Sequence, residues 1–178
     1  MSATKTVAEV DALAEAAHAG QFDKIGVPYI EHVRAVAAGL APFGDELVMA
    51  GLLHDVIEDT DWTAEQLREA GVPGYVVALV EAVTNERGVP YEEKVARITG
   101  QGRDATLLKI ADNAHNSHPD RAAQLSEEQR TRLAAKYRTA RDILWPAAEH
   151  RDIETIINIV NPSLLDELRE RQNTGSPS

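Results

Sequence analysis

The segment DELVMAGLLHDVIEDT, residues 45–60, decides both the fold and the chemistry expected of this chain. Up to Leu53 it is apolar on nearly every side of a helix, and the ionisable run HDVIED follows at 54–59. A helix that is apolar all round lies in the protein interior. Buried carboxylates and imidazoles are costly unless a cation or hydrogen bonds compensate them. The segment therefore predicts a central helix from about Asp45 to Glu58 with a compensated polar cluster at its end.

Helical spacing divides this polar run into two adjacent faces. His54 and Glu58 lie one turn apart, and so do Asp55 and Asp59. One face can bind a metal ion while the other handles protons or water. A solvated acidic helix end is the plain alternative, but the apolar helix before it and two further segments favour a functional cluster.

Those two segments supply more candidate ligands. KIADNAHN, residues 109–116, ends an apolar helix in Asp112, with Asn116 one turn later. His32 stands early in an expected second helix, just beyond a loop that contains Lys24. Two imidazoles and two carboxylates, in a chain without Cys, suit an octahedral Mn²⁺, Fe²⁺ or similar ion, or Mg²⁺ or Zn²⁺ with adjusted geometry.

Periodicity, caps and breakers predict an all-α chain with one compact domain and no convincing strand. The predicted helix starts or caps are Thr6, Tyr29, Asp45, Thr63, Pro73, Pro90, Asp104 and Ser126, and two short helices follow. The expected domain covers residues 1–171, with a motif-bearing core of about 8–125 and additional C-terminal helices over 126–171. The tail 172–178 has no apolar residue and is expected to be disordered.

Composition limits the partners of this chain. At 178 residues, with 43% hydrophobic and 26% charged residues, it has the mixture of a water-soluble globular protein. It has no uncharged run of membrane-spanning length, no secretory signal and no Cys, and its net charge of −11 repels nucleic acid and anionic lipid. We expect a cytoplasmic protein that binds a small molecule, with neither a nucleic acid polymer nor a membrane as partner.

The C-terminal segment is richer in aliphatic residues than a single helix face requires. These residues are Ile153, Ile156, Ile157, Ile159 and Val160. Either they form the interface of a homo-oligomer or they complete the core of the monomer, and the sequence leaves both interpretations open.

Three stretches of the chain resemble a known family. A single His, an adjacent His-Asp pair and a distant Asp form the pattern of the HD phosphohydrolase superfamily. The stretches HAGQFDKIGVPYIEH at 18–32, LLHDVIEDT at 52–60 and LLKIADNAHN at 107–116 are similar in residue type and spacing to consecutive motifs of the (p)ppGpp hydrolase domains of RelA/SpoT proteins and small alarmone hydrolases. The similar region covers about residues 8–125.

This resemblance implies a single HD-domain helical fold around a buried metal site. The family's four metal ligands correspond to His32, His54, Asp55 and Asp112. Its catalytic acidic pair corresponds to Glu58 and Asp59, and two substrate-contacting positions correspond to Lys24 and Asn116. The resemblance also implies a bound Mn²⁺, or another divalent metal, and hydrolysis of the 3′-pyrophosphate of a guanosine nucleotide. The acidic pair would orient the attacking water and move its protons.

Two departures from the family pattern concern the substrate. Alarmone hydrolases usually have an Arg-Lys pair where this chain has Asp23-Lys24. After the third motif their pattern is close to N-x-R-T, whereas this chain continues from Asn116 to Pro119 as NSHP. The alternatives are therefore an HD-type nucleotidase or phosphatase with another phosphate substrate, and a non-catalytic metal- or nucleotide-binding regulatory module.

Other polar residues receive plainer interpretations. His18 either packs near the site or simply ends the first helix. His115 is about 60° away from the face of Asp112 and Asn116, which favours a surface or nearby polar position. Lys109 is one of several candidate phosphate-binding cations, but taken singly it is expected on the solvated surface.

Overall fold

The computed structural model describes residues 4–175, and the chain forms helices throughout this span. The helices are α1 Val7–Ala17, α2 Ile30–Leu40, α3 Asp45–Leu53, α4 Val56–Asp59, α5 Ala64–Glu69, α6 Gly74–Val83, α7 Tyr91–Gly100, α8 Arg103–Asn116, α9 Pro119–Ala122, α10 Glu127–Leu144, α11 His150–Val160 and α12 Leu165–Gly175. Three 3₁₀ turns connect them at Ala41–Phe43, Trp145–Ala147 and Pro162–Leu164. Between residues 4 and 175, extended pairing is limited to one isolated bridge from Phe22 to Pro28. The all-α prediction is confirmed.

Side-chain caps set several helix starts where the sequence predicted them. Thr6, Thr63 and Ser126 each accept a hydrogen bond from a backbone N–H three residues later, and each forms a complete capping box. The cap predicted at Asp104 is wrong. Gly102 precedes α8, and the Asp104 carboxylate instead accepts a hydrogen bond from the Tyr75 hydroxyl at 2.8 Å.

The central helix is α3, which packs against α1, α2, α6 and α8. Its close contact with α2 depends on Gly51, since a Cβ atom there would lie 2.8 Å from the Cα atom of Ala37. The α8 helix is buried along most of its length, and it also packs against α2 and α11. Three buried helices therefore meet at the end of α3.

The central helix ends earlier than predicted. α3 stops at Leu53, residues 54–55 form a turn, and a separate short helix, α4, carries the remaining acidic residues. The His54 side chain explains the break, because its Nδ1 atom donates to the Gly51 carbonyl at 2.7 Å and so competes for the acceptor that the next helical turn needs. Glu58 and Asp59 thus sit on another helix than His54.

The C-terminal helices complete the core. Ile153, Ile156, Ile157 and Val160 are buried on one face of α11, whereas Ile159 is 48% exposed. The structure therefore favours the monomer-core interpretation for four of the five aliphatic residues. The last helix, α12, extends to Gly175, four residues into the tail predicted to be disordered, and residues 176–178 lie outside the described part of the chain. None of the helices in the described part is long and apolar enough to cross a membrane.

Candidate metal centre

The residues predicted to bind a metal come together at the meeting point of α2, α3 and α8. His32 projects from the first turn of α2, His54 and Asp55 from the turn after α3, and Asp112 from the middle of α8. We call these four residues the HD cluster. His32, His54 and Asp112 are 2%, 3% and 5% exposed, so three of the four are buried together.

Distances within the HD cluster are short enough for one shared ion. Ligand atoms of His32, His54 and Asp112 all lie within 4.8 Å of one another. Asp112 Oδ1 is 3.2 Å from His32 Nε2 and 3.5 Å from His54 Nε2. Asp55 Oδ2 is 3.0 Å from His54 Nε2 and 3.5 Å from His32 Nε2. The atoms that converge are two imidazole nitrogens and two carboxylate oxygens.

The orientation of His54 fits a metal ligand. A backbone carbonyl can only accept, so the hydrogen bond to Gly51 places a proton on His54 Nδ1 and leaves Nε2 to face the cluster. That buried Nε2 atom makes no hydrogen bond of acceptable geometry, although two carboxylates lie nearby. Metal-binding histidines are commonly held in this way, with the other ring nitrogen bonded to a backbone oxygen. The residues present therefore suit a divalent metal ion.

His32 is oriented by a second histidine. Its Nδ1 atom lies 2.7 Å from His115 Nδ1, so one ring donates this hydrogen bond and the other accepts it. With Nδ1–H on His32, the His32 Nε2 lone pair faces the two carboxylates. Burial, with the neighbouring positive groups, lowers the pKa of His115 to about 3, which keeps that ring neutral and able to accept. His115 thus has the nearby polar position that the sequence allowed.

Asp112 has polar partners on both oxygens. Lys109 Nζ donates to Asp112 Oδ2 at 2.7 Å, and Asn116 Nδ2 donates to Oδ1 at 2.8 Å. Burial raises the pKa of Asp112, but the charge of Lys109 and the neighbouring imidazoles of His32 and His54 outweigh it and hold the pKa well below its usual range. The surface position expected for Lys109 is wrong, because its side chain is buried one helical turn before Asp112.

Charge in the HD cluster favours a cation between the carboxylates. Burial alone would lower the pKa of His54, yet Asp55 and Asp112 raise it well above its usual value. Burial raises the pKa of Asp55, and His54 and His32 more than offset this effect. Either a proton on His54 or a bound metal ion supplies the compensating charge, and metal binding would release that proton.

Tyr29 holds Asp55 from the other side. The Tyr29 hydroxyl donates to Asp55 Oδ2 at 2.7 Å, and its ring contacts both His18 and His32. Burial and the charge of Asp55 raise the pKa of Tyr29, so the hydroxyl keeps its proton as a donor. His18 is buried and bonds Gln21, whose amide donates to the backbone oxygen of Asp59, so it packs near the site.

The predicted acidic pair lies at the rim of the HD cluster rather than within it. Glu58 and Asp59 are both exposed on α4. Glu58 accepts hydrogen bonds from the side-chain amide and the backbone N–H of Asn85 at 2.9 and 3.1 Å. Partial burial and the charges of Asp55 and Glu58 raise the pKa of Asp59. Both carboxylates are therefore accessible to water.

A cavity of about 400 Å³ opens beside the cluster, and we call it the α10 pocket. It lies between the loop before α2 and helix α10. Its polar lining includes Lys24, Glu58, Asn116, Arg121, Lys136 and Tyr137. Both predicted substrate-binding residues, Lys24 and Asn116, border this pocket, and it also contains cations that the motifs did not mark.

The two departures from the family pattern meet in this pocket. Asp23 Oδ1 accepts from the backbone N–H groups of Ile25 and Val27 at 2.9 Å each, which fixes the loop. Asp23 Oδ2 accepts from Arg121 Nη1 at 3.0 Å. Arg121 belongs to α9, the short helix that begins at Pro119 and that the sequence did not predict. Asp23 is therefore neutralised by a partner from the second departing segment.

Three residues that contact the HD cluster, Tyr29, Lys109 and His115, were not predicted as part of the site. The spacing of the first two along the chain nevertheless pointed to it. Tyr29 precedes His32 by three positions, and Lys109 precedes Asp112 by three, which places each pair on one helix face or turn. His115 was discounted because of its angular offset. A long imidazole reaching across to α2 overcomes that offset.

Comparison with known proteins agrees with this geometry. A model of the HD domain family matches residues 11–157, which is most of the chain. The chain belongs to the HD domain family. The match confirms the resemblance carried by the motifs, and it extends past residue 125 into the C-terminal helices of this HD domain.

Named relatives are similar in sequence to this chain. The guanosine-3′,5′-bis(diphosphate) 3′-pyrophosphohydrolase of Haemophilus influenzae is 36% identical over 158 residues, covering 82% of this chain and 22% of the relative. The guanosine-3′,5′-bis(diphosphate) 3′-pyrophosphohydrolase MESH1 of Danio rerio is 36% identical over 102 residues, covering 53% of this chain and 56% of the relative. The chain thus spans about a fifth of the first relative and just over half of the second.

A solved structure has the same fold over nearly its whole length. It is described as "A metazoan ortholog of SpoT hydrolyzes ppGpp and plays a role in starvation responses". The TM-score is 0.73 at 24% identity, with 97% of this chain and 98% of the other covered. The overall arrangement of helices in this HD domain is therefore that of a known compact fold.

Proposed function

We propose that this chain is a metal-dependent phosphohydrolase that removes the 3′-pyrophosphate of a (p)ppGpp-type guanosine nucleotide. The observation that carries the proposal is the HD cluster itself, in which a buried His54 Nε2 faces two carboxylates beside a cation-lined pocket. The names of the relatives support the substrate, because two proteins that are 36% identical to this chain over the matched residues are named as 3′-pyrophosphohydrolases of guanosine-3′,5′-bis(diphosphate).

His32, His54, Asp55 and Asp112 would hold the metal ion. We propose Mn²⁺, because the donor set has mixed nitrogen and oxygen atoms and no sulfur. When bound, a divalent ion supplies positive charge to phosphoryl oxygens and acidifies coordinated water. The buried contacts of Tyr29 and Lys109 keep the two carboxylates in place for this task.

The remaining steps belong to side chains at the rim. Water adds to the phosphorus atom attached to the 3′ oxygen, the bond from phosphorus to that oxygen breaks, and the oxygen gains a proton. Glu58 and Asp59 would accept the proton from water and return one to the leaving oxygen. Asn116 Nδ2 donates one N–H to Asp112 and has a second N–H that can bind a phosphate or sugar oxygen. Lys24 adds a positive charge.

Product chromatography tests this proposal. Protein loaded with Mn²⁺ is incubated with ppGpp beside a His54→Ala/Asp55→Ala double variant, with Lys94→Met as a control that removes a distant charge. We expect GDP and pyrophosphate from the wild type and the control, and intact ppGpp from the double variant. Survival of ppGpp in every sample would remove the alarmone assignment.

A different phosphate substrate is the second candidate, and the Asp23 to Arg121 ion pair favours it. Where alarmone hydrolases usually carry an arginine, this chain has a carboxylate bound to another side chain. A panel of nucleotides separates the candidates, since orthophosphate release from monophosphates would indicate a nucleotidase. Tight nucleotide binding without any release under several metals would indicate a regulatory module. The cytoplasmic location and a homo-oligomeric state stay predictions.

A further inference from the structure

The cations of the α10 pocket differ in how they are neutralised. Arg121 forms its ion pair with Asp23 at 3.0 Å. Lys24 and Lys136 also line the pocket, and within residues 4–175 neither forms an ion pair with a carboxylate. Lys136 instead lies over the ring of Tyr91, with its Nζ atom 4.2 Å from the ring centroid. Two positive charges in this pocket are thus left without a counter-ion.

Such a gathering of like charges is unfavourable unless an anion joins it. The whole chain has a net charge of −11, so carboxylate partners are abundant elsewhere on its surface. Like charges at close range repel one another. Burial, and after it the positive charges of Lys109 and Lys24, lower the pKa of Lys136 accordingly. An arriving phosphate group would relieve that repulsion.

The pocket also connects these lysines with the HD cluster. Asn116 borders the pocket and donates to Asp112, and Glu58 forms part of the same lining. A substrate that places one phosphate group against the cluster extends through the pocket toward α10. Lys136 stands on α10, outside the three motifs that mark the site.

We propose that Lys136, together with Lys24, binds a second phosphate group of the substrate, remote from the bond that is cleaved. This inference rests on the proposed function, for which the remote group is the 5′-diphosphate of ppGpp. It also accounts for Asp23. Alarmone hydrolases usually have an arginine at this position of the loop, whereas here Asp23 binds Arg121 and Lys136 on α10 supplies the second cation beside Lys24. Lys136 is thereby a specificity-determining residue.

Steady-state kinetics with two substrates test the assignment. ppGpp and guanosine 3′-diphosphate have the same scissile bond, but the second lacks the 5′-phosphates. We expect Lys136→Met to raise KM for ppGpp about tenfold with kcat nearly unchanged, and to leave both constants for guanosine 3′-diphosphate within about twofold. Lys136→Arg should stay close to wild type, as should Lys94→Met, whose lysine lines a separate pocket between α6 and α7. Equal losses on both substrates, or no loss on ppGpp, would overturn the assignment.

A binding measurement keeps this inference separate from the proposed function. If the wild type hydrolyses neither substrate, the proposed function fails, and calorimetric titration of chelator-treated protein with inorganic pyrophosphate still decides the role of Lys136. We expect the Kd of Lys136→Met to be about tenfold weaker than that of wild type and Lys94→Met. Identical Kd values for all three proteins, or no binding by the wild type, would overturn the inference.

Discussion

Two buried polar clusters border different faces of α8, and they are completed in different ways. The HD cluster includes Asp112, and the next residue, Asn113, belongs to a second cluster around Arg141. Arg141 is 6% exposed and donates to both oxygens of Glu167 at 3.0 and 2.8 Å, to Ser117 Oγ at 2.9 Å and to Asn113 Oδ1 at 3.3 Å.

The difference separates structural polar groups from binding groups. Each of the three guanidinium nitrogens of Arg141 donates to a protein acceptor, so the second cluster ties α10 and α12 to α8 and needs no ligand. In the HD cluster a buried imidazole nitrogen faces carboxylates without a good hydrogen bond. A buried polar atom without a partner inside the protein needs an explanation, and for a ring nitrogen that faces two carboxylates a bound cation supplies one.

The largest expected effect is on catalysis, from substitution in the incomplete cluster. His54→Ala removes one nitrogen ligand and should lower kcat/KM for phosphate release by at least about a thousandfold, roughly 4 kcal/mol. The variant also loses the hydrogen bond to the Gly51 carbonyl and the imidazole that faces Asp55 and Asp112, so the thermal midpoint of the metal-free protein should fall as well. Assay and calorimetry on the same preparation check both statements. A variant that retains activity would remove His54 from the site.

The next effect is on stability, from the complete cluster. Arg141→Met leaves Glu167 without its bidentate partner and should lower the free energy of unfolding by about 3–5 kcal/mol. The double variant Arg141→Met/Glu167→Leu should recover part of this loss, because the Glu167 carboxylate, which keeps only Arg171 as a partner in the single variant, is then replaced by an apolar side chain. Urea denaturation measures the cycle. A small loss of unfolding free energy in the single variant would mean that this cluster contributes no more to stability than a surface ion pair.

A smaller effect is expected where a side chain acts only by orienting a ligand. His115→Ala removes the hydrogen bond to His32 and should weaken metal affinity about 10–100-fold while the helical circular dichroism is unchanged. His150→Ala is the matched control, since it removes a histidine from the start of α11. Metal titration followed by calorimetry gives the affinities. Equal affinities for the two variants would show that His32 needs no orienting partner.

The smallest effect concerns pH. Burial raises the pKa of Glu167, but hydrogen bonds and charge from Arg141 and Arg171 lower it below its ordinary value of 4.5. A depressed carboxyl pKa stabilises the folded state above the unfolded pKa, and that contribution disappears as pH falls through the folded pKa. Wild type should therefore exceed Glu167→Gln in unfolding free energy by on the order of 1 kcal/mol at pH 7 and converge with it in strong acid. A constant difference between pH 7 and pH 2 would contradict this assignment.

The sequence predicted best what local rules determine. Capping boxes at Thr6, Thr63 and Ser126 depend on residues three apart, and burial of the helix before His54 follows from its composition. The convergence of His32, His54, Asp55 and Asp112 was expected because the three motifs resemble those of one family. These predictions required no knowledge of distant contacts.

What the sequence missed depends on contacts between remote segments. The break after α3 arises from a side chain that bonds backbone within a buried turn. The Asp23 to Arg121 pair joins residues 98 positions apart, and Lys136 reaches the pocket only because α10 packs across α7 and α8. Spacing along the chain carries no information about such pairs, so the α10 pocket follows only from the three-dimensional structure.

The most direct test of the central claim is a count of bound metal. Electron paramagnetic resonance reports free Mn²⁺, so titration of chelator-treated protein gives the number of ions bound per chain. We expect one tightly bound ion for wild type and for Arg141→Met/Glu167→Leu, and none for His54→Ala/Asp55→Ala. An unchanged count in the His54→Ala/Asp55→Ala variant, or no tight binding by the wild type, would contradict the assignment of the incomplete cluster as the metal centre.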